Sequence, residues 1–267
     1  MSKTFKLKIG QAQLVGERAG EGRPVIFLHA GVADRRMWRR QVADLSDRYQ
    51  TVAYDRRGFG ETITADEPFA HVEDLGEVLD HLDQAMVSFV GCSQGGRIAL
   101  DFTLAYPHRV AALALIAPAV SGAPVPEVFP AAIQARLEAL DEAEAANDLA
   151  RINALEANLW LDGPTSPAGR VGGEARELFF EMNGAALRMP TLTQEIEPAS
   201  AYTRLAALSL SVFVLWGDLD FPHVRERCRY LVDVIPAAQG KEISGVAHLP
   251  NLEQPEMFNK LLRDFLG

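Results

Sequence analysis

The sequence predicts an α/β fold in which a mostly parallel sheet of eight strands is flanked by helices and interrupted by a helical insertion. Three observations carry this prediction. Short apolar runs recur between stretches of helical periodicity, as a sheet buried on both faces requires. The segment MVSFVGCSQGG at 86–96 joins an apolar strand to a glycine-flanked serine turn and then to a helix. Between about 121 and 200 that rhythm stops, and proline-punctuated and helical sequence takes its place.

The opening segments 5–9 and 11–17 alternate apolar and polar residues, which suits an antiparallel hairpin at a sheet edge. Apolar runs at 25–28, 51–54, 87–90, 112–116 and 212–216 read as buried parallel strands. A last strand is expected at 241–244 and a last helix at 255–265, where Met257, Leu261 and Leu262 form an apolar stripe. In the helix after the serine turn, Ile98, Phe102 and Ala105 recur at helical spacing and face the sheet. Met37 and Trp38 begin another sheet-packed helix. The expected organisation is a core from 1–120 and 201–267 with an inserted helical unit at 121–200. Within that unit, 131–160 reads as helices rich in alanine and acid, their charges facing solvent.

A chain of 267 residues with 48% hydrophobic content can bury the core of one large domain. The formal charge of -10 opposes binding to phosphate backbones or anionic lipid, which leaves a small molecule as the expected partner. No segment is apolar enough to span a bilayer and MSKTFKLKIG lacks a leader pattern, so a cytoplasmic location is expected. The two cysteines, Cys92 and Cys228, lack disulfide-framework or zinc spacing. No metal or cofactor is implied. Cys92 reads as a small buried hydrophobe whose side chain points away from that of Ser93.

In a strand–turn–helix of the GxSxG type, the serine occupies a strained bend that exposes its hydroxyl above the sheet edge. Gly91 and Gly95 stand where side chains would collide with crossing backbone, and Gly96 lets the helix pack closely. A serine hydroxyl becomes a useful nucleophile when a histidine, itself oriented by a buried carboxylate, accepts its proton. Asp220 in WGDLDFP follows a strand, and His248 in GVAHLPNLEQP lies between the last strand and the last helix. Both are therefore expected at strand carboxyl ends, where open parallel sheets bind ligands. Asp218 is a rival acid, read as a turn former. His71, His81 and His108 read as surface residues, and His223 as a helix start.

On LHAGVADRRMW, DRRGFG, GCSQGG, WGDLD and AHLPNLEQP, the chain resembles the α/β-hydrolase superfamily over nearly its whole length outside the insertion. The resemblance implies an α/β-hydrolase fold with a lid formed by 121–200. It also implies Ser93 as nucleophile, Asp220 as acid and His248 as base. Oxyanion donors would be the amides of Gln94, which opens a helix, and of Gly31, with Val32 as the alternative because Ala30 replaces the usual glycine after His29. His29 would brace this loop. Asp55 and Arg57 read as bonding within theirs.

Within the superfamily, the pattern, including ANLWLDGP in the insertion, is similar to the oxoadipate enol-lactonase and small carboxylesterase group. A serine at position 93 argues against branches that use aspartate there. A GSGPGA-like loop associated with carbon–carbon bond hydrolases is missing. The resemblance thus implies hydrolysis of a small ester or enol-lactone through an acyl-enzyme, without cofactor, in a monomer or homodimer. Trp160, Phe179 and Met182 are candidate substrate contacts that could equally be lid core, as could Leu159 and Phe180. Arg170 and Arg188 could hold a substrate carboxylate or face solvent. A cofactor-free haloperoxidase or perhydrolase, a carbon–carbon bond hydrolase, and a non-catalytic ligand receptor of this fold remain alternatives.

Overall fold

The computed structural model describes residues 2–267. Its strands are β1 (Lys3–Ile9), β2 (Ala12–Ala19), β3 (Arg23–Leu28), β4 (Tyr49–Asp55), β5 (Val87–Cys92), β6 (Val110–Ile116), β7 (Ser211–Gly217) and β8 (Ala238–Ile243). They form one sheet of order β1-β2-β4-β3-β5-β6-β7-β8. The hairpin β1–β2 is antiparallel and joins β4 antiparallel, while β3 to β8 run parallel.

Helices α1 (Arg39–Leu45), α2 (His71–His81) and α3 (Gln94–Ala105) connect the first strands. Between β6 and β7 lie α4 (Ala131–Ala145), α5 (Leu149–Glu156), a π-helical turn (Ala157–Asp162) and α6 (Gly173–Ala186). The chain ends through α7 (Pro222–Val234), α8 (Pro250–Glu253) and α9 (Pro255–Leu266).

Alternation along the central strands divides the core in two. Ile26, Leu28, Phe89, Leu113 and Leu115 point to the layer of α2, α3 and α7, where Leu75, Ile98, Phe102 and Cys228 are buried. Val25, Phe27, Val90, Ala114 and Ile116 point to the opposite layer, with Trp38, Val42, Phe258 and Leu262. Both faces are covered, which is why these strands read as unbroken apolar runs. Residues between β6 and β7 reach both layers: Ile133 and Leu159 join the first, and Leu161, Leu178, Phe179 and Met182 the second.

Two elements differ from the sequence reading. β8 begins at Ala238, since Val212 pairs with Ala238 and the register continues to Gly217 with Ile243. Of its residues AQGKEI only Ile243 is buried, so as an edge strand it lacks the apolar run that marks its neighbours. Helix α6 also went unread, because its buried residues Leu178, Phe179 and Met182 are diluted among charged and small ones.

Candidate active site

Ser93 lies between β5 and α3 with φ 52° and ψ -116°, outside the regions an L-residue ordinarily occupies. Crowding enforces the bend. A Cβ at Gly91 would lie 2.6 Å from the Gly95 carbonyl oxygen, and one at Gly95 would lie 2.2 Å from that of Leu28. Backbone bonds complete the elbow. Ser93 N–H donates to Ile116 O at 2.9 Å, and Ser93 O accepts from the amides of Arg97 and Ala119 at 3.0 Å each.

His248 and Asp220 lie at the same edge. His248 Nδ1 is 2.7 Å from Asp220 Oδ2, and Asp220 Oδ1 accepts from the Phe221 amide at 2.7 Å. Both residues are buried. Asp218 points elsewhere, accepting from Ser244 Oγ and the Gly245 amide at 2.8 Å each, so it ties down the turn after β8. The carbonyl of His248 accepts a 3.8 Å contact from Cys92 Sγ, which seats the histidine loop on the residue preceding Ser93. His248 Nε2 is buried without a hydrogen-bond partner, so its bond to Ser93 Oγ is not closed here. Such bonds are often long before substrate binds and tighten in the complex.

Gly31 and Gln94 are adjacent: a Cβ on Gly31 would lie 2.8 Å from Gln94 Cδ. Gln94 is the first residue of α3, so its amide has no acceptor within the helix and stands at the positive end of the helix dipole. His29 braces the Gly31 loop from beneath. Its Nδ1 lies 2.8 Å from Ala30 O, and its Nε2 accepts from the Arg56 amide at 3.1 Å. Burial, assisted by the Arg56 charge, holds its pKa well below the ordinary histidine range, which suits a neutral ring with one donor and one acceptor. Asp55 accepts from the amides of Arg35 and Glu61, and Arg57 pairs with Asp74 and Glu67 at 2.8 Å each.

The remaining candidates separate. Trp160, from the π-helical turn, packs against the imidazole of His248 with ring centroids 4.7 Å apart and the planes tilted by 51°, and its ring centroid lies 4.8 Å from that of Phe221. Phe179 and Met182 are fully buried in the second core layer. Arg188, just past the end of α6, bonds back to Gly184 O in that helix. Arg170 is not the solvated side chain or free carboxylate ligand considered above. Its guanidinium bonds Leu161 O, Asp162 O, Gly245 O and the Glu253 carboxylate. Glu253 went unread in the sequence; its buried side chain accepts from the Ala247 amide, and burial raises its pKa to about 7.

His71 is buried rather than surface-exposed, 8% accessible beside Phe69 and Glu195, because the segment before β7 folds over the start of α2. Burial and the charges of Arg56, Arg97 and Arg57 keep its pKa well below the ordinary value. His223 is the second residue of α7, packed against Phe129 and Phe221, and burial lowers its pKa to about 4. Among the described residues, no cluster of three or more His, Cys, Asp or Glu side chains is arranged to hold a metal. None of the described helices is long and apolar enough to cross a membrane.

A serine elbow followed in chain order by aspartate and histidine, all at the carboxyl edge of a mostly parallel sheet, defines the class of the α/β-hydrolases. A family profile described as alpha/beta hydrolase fold matches residues 23–255, and the chain belongs to that family. It is similar to 3-oxoadipate enol-lactonase 2 of Acinetobacter baylyi, with 25% identity over 241 residues covering 88% of this chain and 85% of that protein. It is also similar to a 2-hydroxy-6-oxononadienedioate/2-hydroxy-6-oxononatrienedioate hydrolase of Comamonas testosteroni, at 26% identity covering 93% and 89%. Among solved structures, a thermophilic esterase from Thermogutta terrifontis superposes with a TM-score of 0.77 at 26% identity, covering 99% of this chain and 98% of that one. The family and these relatives support hydrolase activity and place the chain near the oxoadipate enol-lactonase-like group.

Proposed function

We propose that the chain hydrolyses small carboxylic esters or enol-lactones through an acyl-enzyme on Ser93. The observation that carries this reading is the 2.7 Å pair between His248 Nδ1 and Asp220 Oδ2. This pair fixes the tautomer that leaves Nε2 as a proton acceptor.

Ser93 Oγ attacks the carbonyl carbon while His248 Nε2 takes its proton, and Asp220 stabilises the imidazolium that results. The tetrahedral oxyanion is held by the amides of Gly31 and Gln94 and by the positive end of α3. His248 then returns the proton to the departing alkoxide or enolate as the carbon–oxygen bond breaks. Water, deprotonated by the same nitrogen, attacks the acyl group, and a second collapse restores Ser93 while releasing the carboxylic acid. The 121–200 segment acts as the lid. Trp160 covers the imidazole and limits water at the reacting centre, which strengthens each electrostatic contact there. The names of the enol-lactonase and esterase relatives support the substrate class.

The test is a panel of short-acyl p-nitrophenyl esters and five- and six-membered lactones, run on wild type and Ser93→Ala. Saturable turnover should fall by about 10⁴ to 10⁶ in the variant. Labelling of wild type by an activated fluorophosphonate should map to Ser93 and slow in His248→Ala. Equal turnover by wild type and Ser93→Ala would overturn the reading.

A further inference from the structure

Asp162 closes the π-helical turn, and its carboxylate is buried. It accepts from the amides of Gly169 and Val171 at 2.8 and 2.9 Å and pairs with Arg176 at 2.9 Å. These bonds fold residues 163–171 back under the turn and deliver the Arg170 guanidinium to the junction with the core. There Arg170 serves both sides. Nε donates to Asp162 O at 2.5 Å and Nη2 to Leu161 O at 2.9 Å, holding the end of the turn that carries Trp160. Nη1 donates to Gly245 O at 3.0 Å, and Nη2 also meets Glu253 Oε2 at 2.5 Å, holding the loop that carries His248.

Glu253 continues the connection. Its other oxygen accepts from the Ala247 amide at 2.7 Å, one residue before His248. The path closes on itself: Trp160, the Leu161 carbonyl, Arg170, Glu253, the Ala247 amide, His248, and back to Trp160 through the 4.7 Å ring contact. Arginine suits this position because a planar fork can satisfy several acceptors at fixed angles, whereas an ammonium group cannot. The Arg170 and Glu253 side chains are 22% and 4% exposed, so the pair is poorly screened and its geometry is restrained.

We infer that Arg170, acting with Glu253, is a positioning residue that sets the spacing between Trp160 and the imidazole of His248. The inference rests on the hydrolytic reading above only for its consequence in turnover. Releasing the strap lets the tryptophan ring and the histidine loop drift apart. A drift near 1 Å at a proton-transfer atom costs on the order of a hundredfold in rate.

Arg136 provides the control. It bonds the carbonyls of Gly163, Pro164 and Ser166 in the same loop but lies outside the closed path. Arg170→Ala, Arg170→Lys, Glu253→Gln and Arg136→Ala should be compared in two ways. One is kcat and KM on a p-nitrophenyl ester. The other is the ¹H shift of His248 Hε1 in histidine-labelled protein, assigned through loss of its ring-current displacement in Trp160→Ala. Arg170→Ala is expected to lower kcat about ten- to a hundredfold with KM changed less, and to move Hε1 towards its Trp160→Ala position. Arg170→Lys should recover part of both effects. Arg136→Ala should lower Tm and leave both unchanged.

The inference is overturned if Arg170→Ala keeps kcat within twofold, if kcat falls while Hε1 stays put, or if Arg136→Ala reproduces the loss. Should Arg170→Ala not fold, Arg170→Lys and Glu253→Gln carry the same two readouts. Should wild type and Ser93→Ala turn over esters equally, the hydrolytic reading fails and the Hε1 shift alone decides the strap.

Discussion

Backbone atoms orient Ser93. Its amide and carbonyl are bonded to Ile116, Arg97 and Ala119, and Gly91 and Gly95 admit crossing main chain where any side chain would collide. His248 is oriented instead by side chains from separate segments: Asp220 after β7, Glu253 in α8 acting through the Ala247 amide, and Trp160 between β6 and β7. Ser93 is therefore set by sterics inside the core, and His248 by a set of polar and aromatic contacts that extends into the 121–200 segment. These two kinds of support should fail in different ways.

The largest expected effect comes from breaking the histidine side alone. Asp220→Asn keeps shape and burial but replaces the acceptor at Oδ2 with an amide that favours the wrong imidazole tautomer. In the serine triad such a change costs about 10⁴ in kcat, or roughly 5 kcal/mol of barrier. The elbow shares no hydrogen bond with Asp220, so the melting midpoint should move little. Steady-state kinetics beside a thermal melt checks both halves. A collapse in Tm equal to the collapse in kcat would show that the two sides are not separate.

Breaking the elbow side should show the opposite balance. A methyl group at Gly95 would stand 2.2 Å from Leu28 O and 2.7 Å from His29 O, both of them backbone with no rotamer to yield. Gly95→Ala is expected to cost about 3 kcal/mol of stability, at the upper end for overpacking, read as a lowered urea midpoint at unchanged m-value. Its activity loss should follow the fraction folded. Near-wild-type stability would mean that β3 and α3 can separate, and that the elbow is less confined than its bonds suggest.

The same contrast explains what could be read from the sequence. The elbow was legible because its requirements are local: glycines at fixed offsets from one serine, between an apolar run and a helical pattern. Asp220 and His248 were legible because each follows a strand and precedes a helix. Trp160 was one aromatic residue among several, and nothing local distinguished it from Phe179 or Met182, which are fully buried in the second core layer. Arg170 and Glu253 lie 83 residues apart, and only tertiary structure shows that they meet. His71 misled for a related reason. It starts an amphipathic helix and would be exposed there, but the Phe69–Glu195 bridge brings the chain back across it. Signals confined to one element survived in the sequence, and those made by one segment folding onto another did not.

The smallest expected effect lies where the two regions join. Asp101, on α3 after the elbow, accepts from Ser121 Oγ at 2.5 Å, while that same oxygen accepts from the Ala201 amide at 2.9 Å. Ser121 O also accepts from the Tyr202 amide at 3.1 Å, so the two ends of the 121–200 segment are fastened together beneath one carboxyl group. Burial raises the Asp101 pKa to about 6, against the partial opposition of Ser121 and Arg97. Below the ordinary aspartate range both folded and unfolded chains hold the proton. As pH rises towards 6, only the unfolded chain releases it, so wild type loses stability over that window and nothing further above it. The rise from the ordinary aspartate value corresponds, after solvent screening, to about 2 kcal/mol. Asp101→Asn removes this dependence while leaving an amide oxygen for Ser121. Urea unfolding of both proteins at pH 4 and pH 7 should therefore show the wild-type advantage over the variant shrinking by about that amount as pH rises. If the difference is flat, the carboxyl is already ionised at pH 4, and the fastening is an ordinary charge-assisted hydrogen bond with no bearing on how the segment responds to acid.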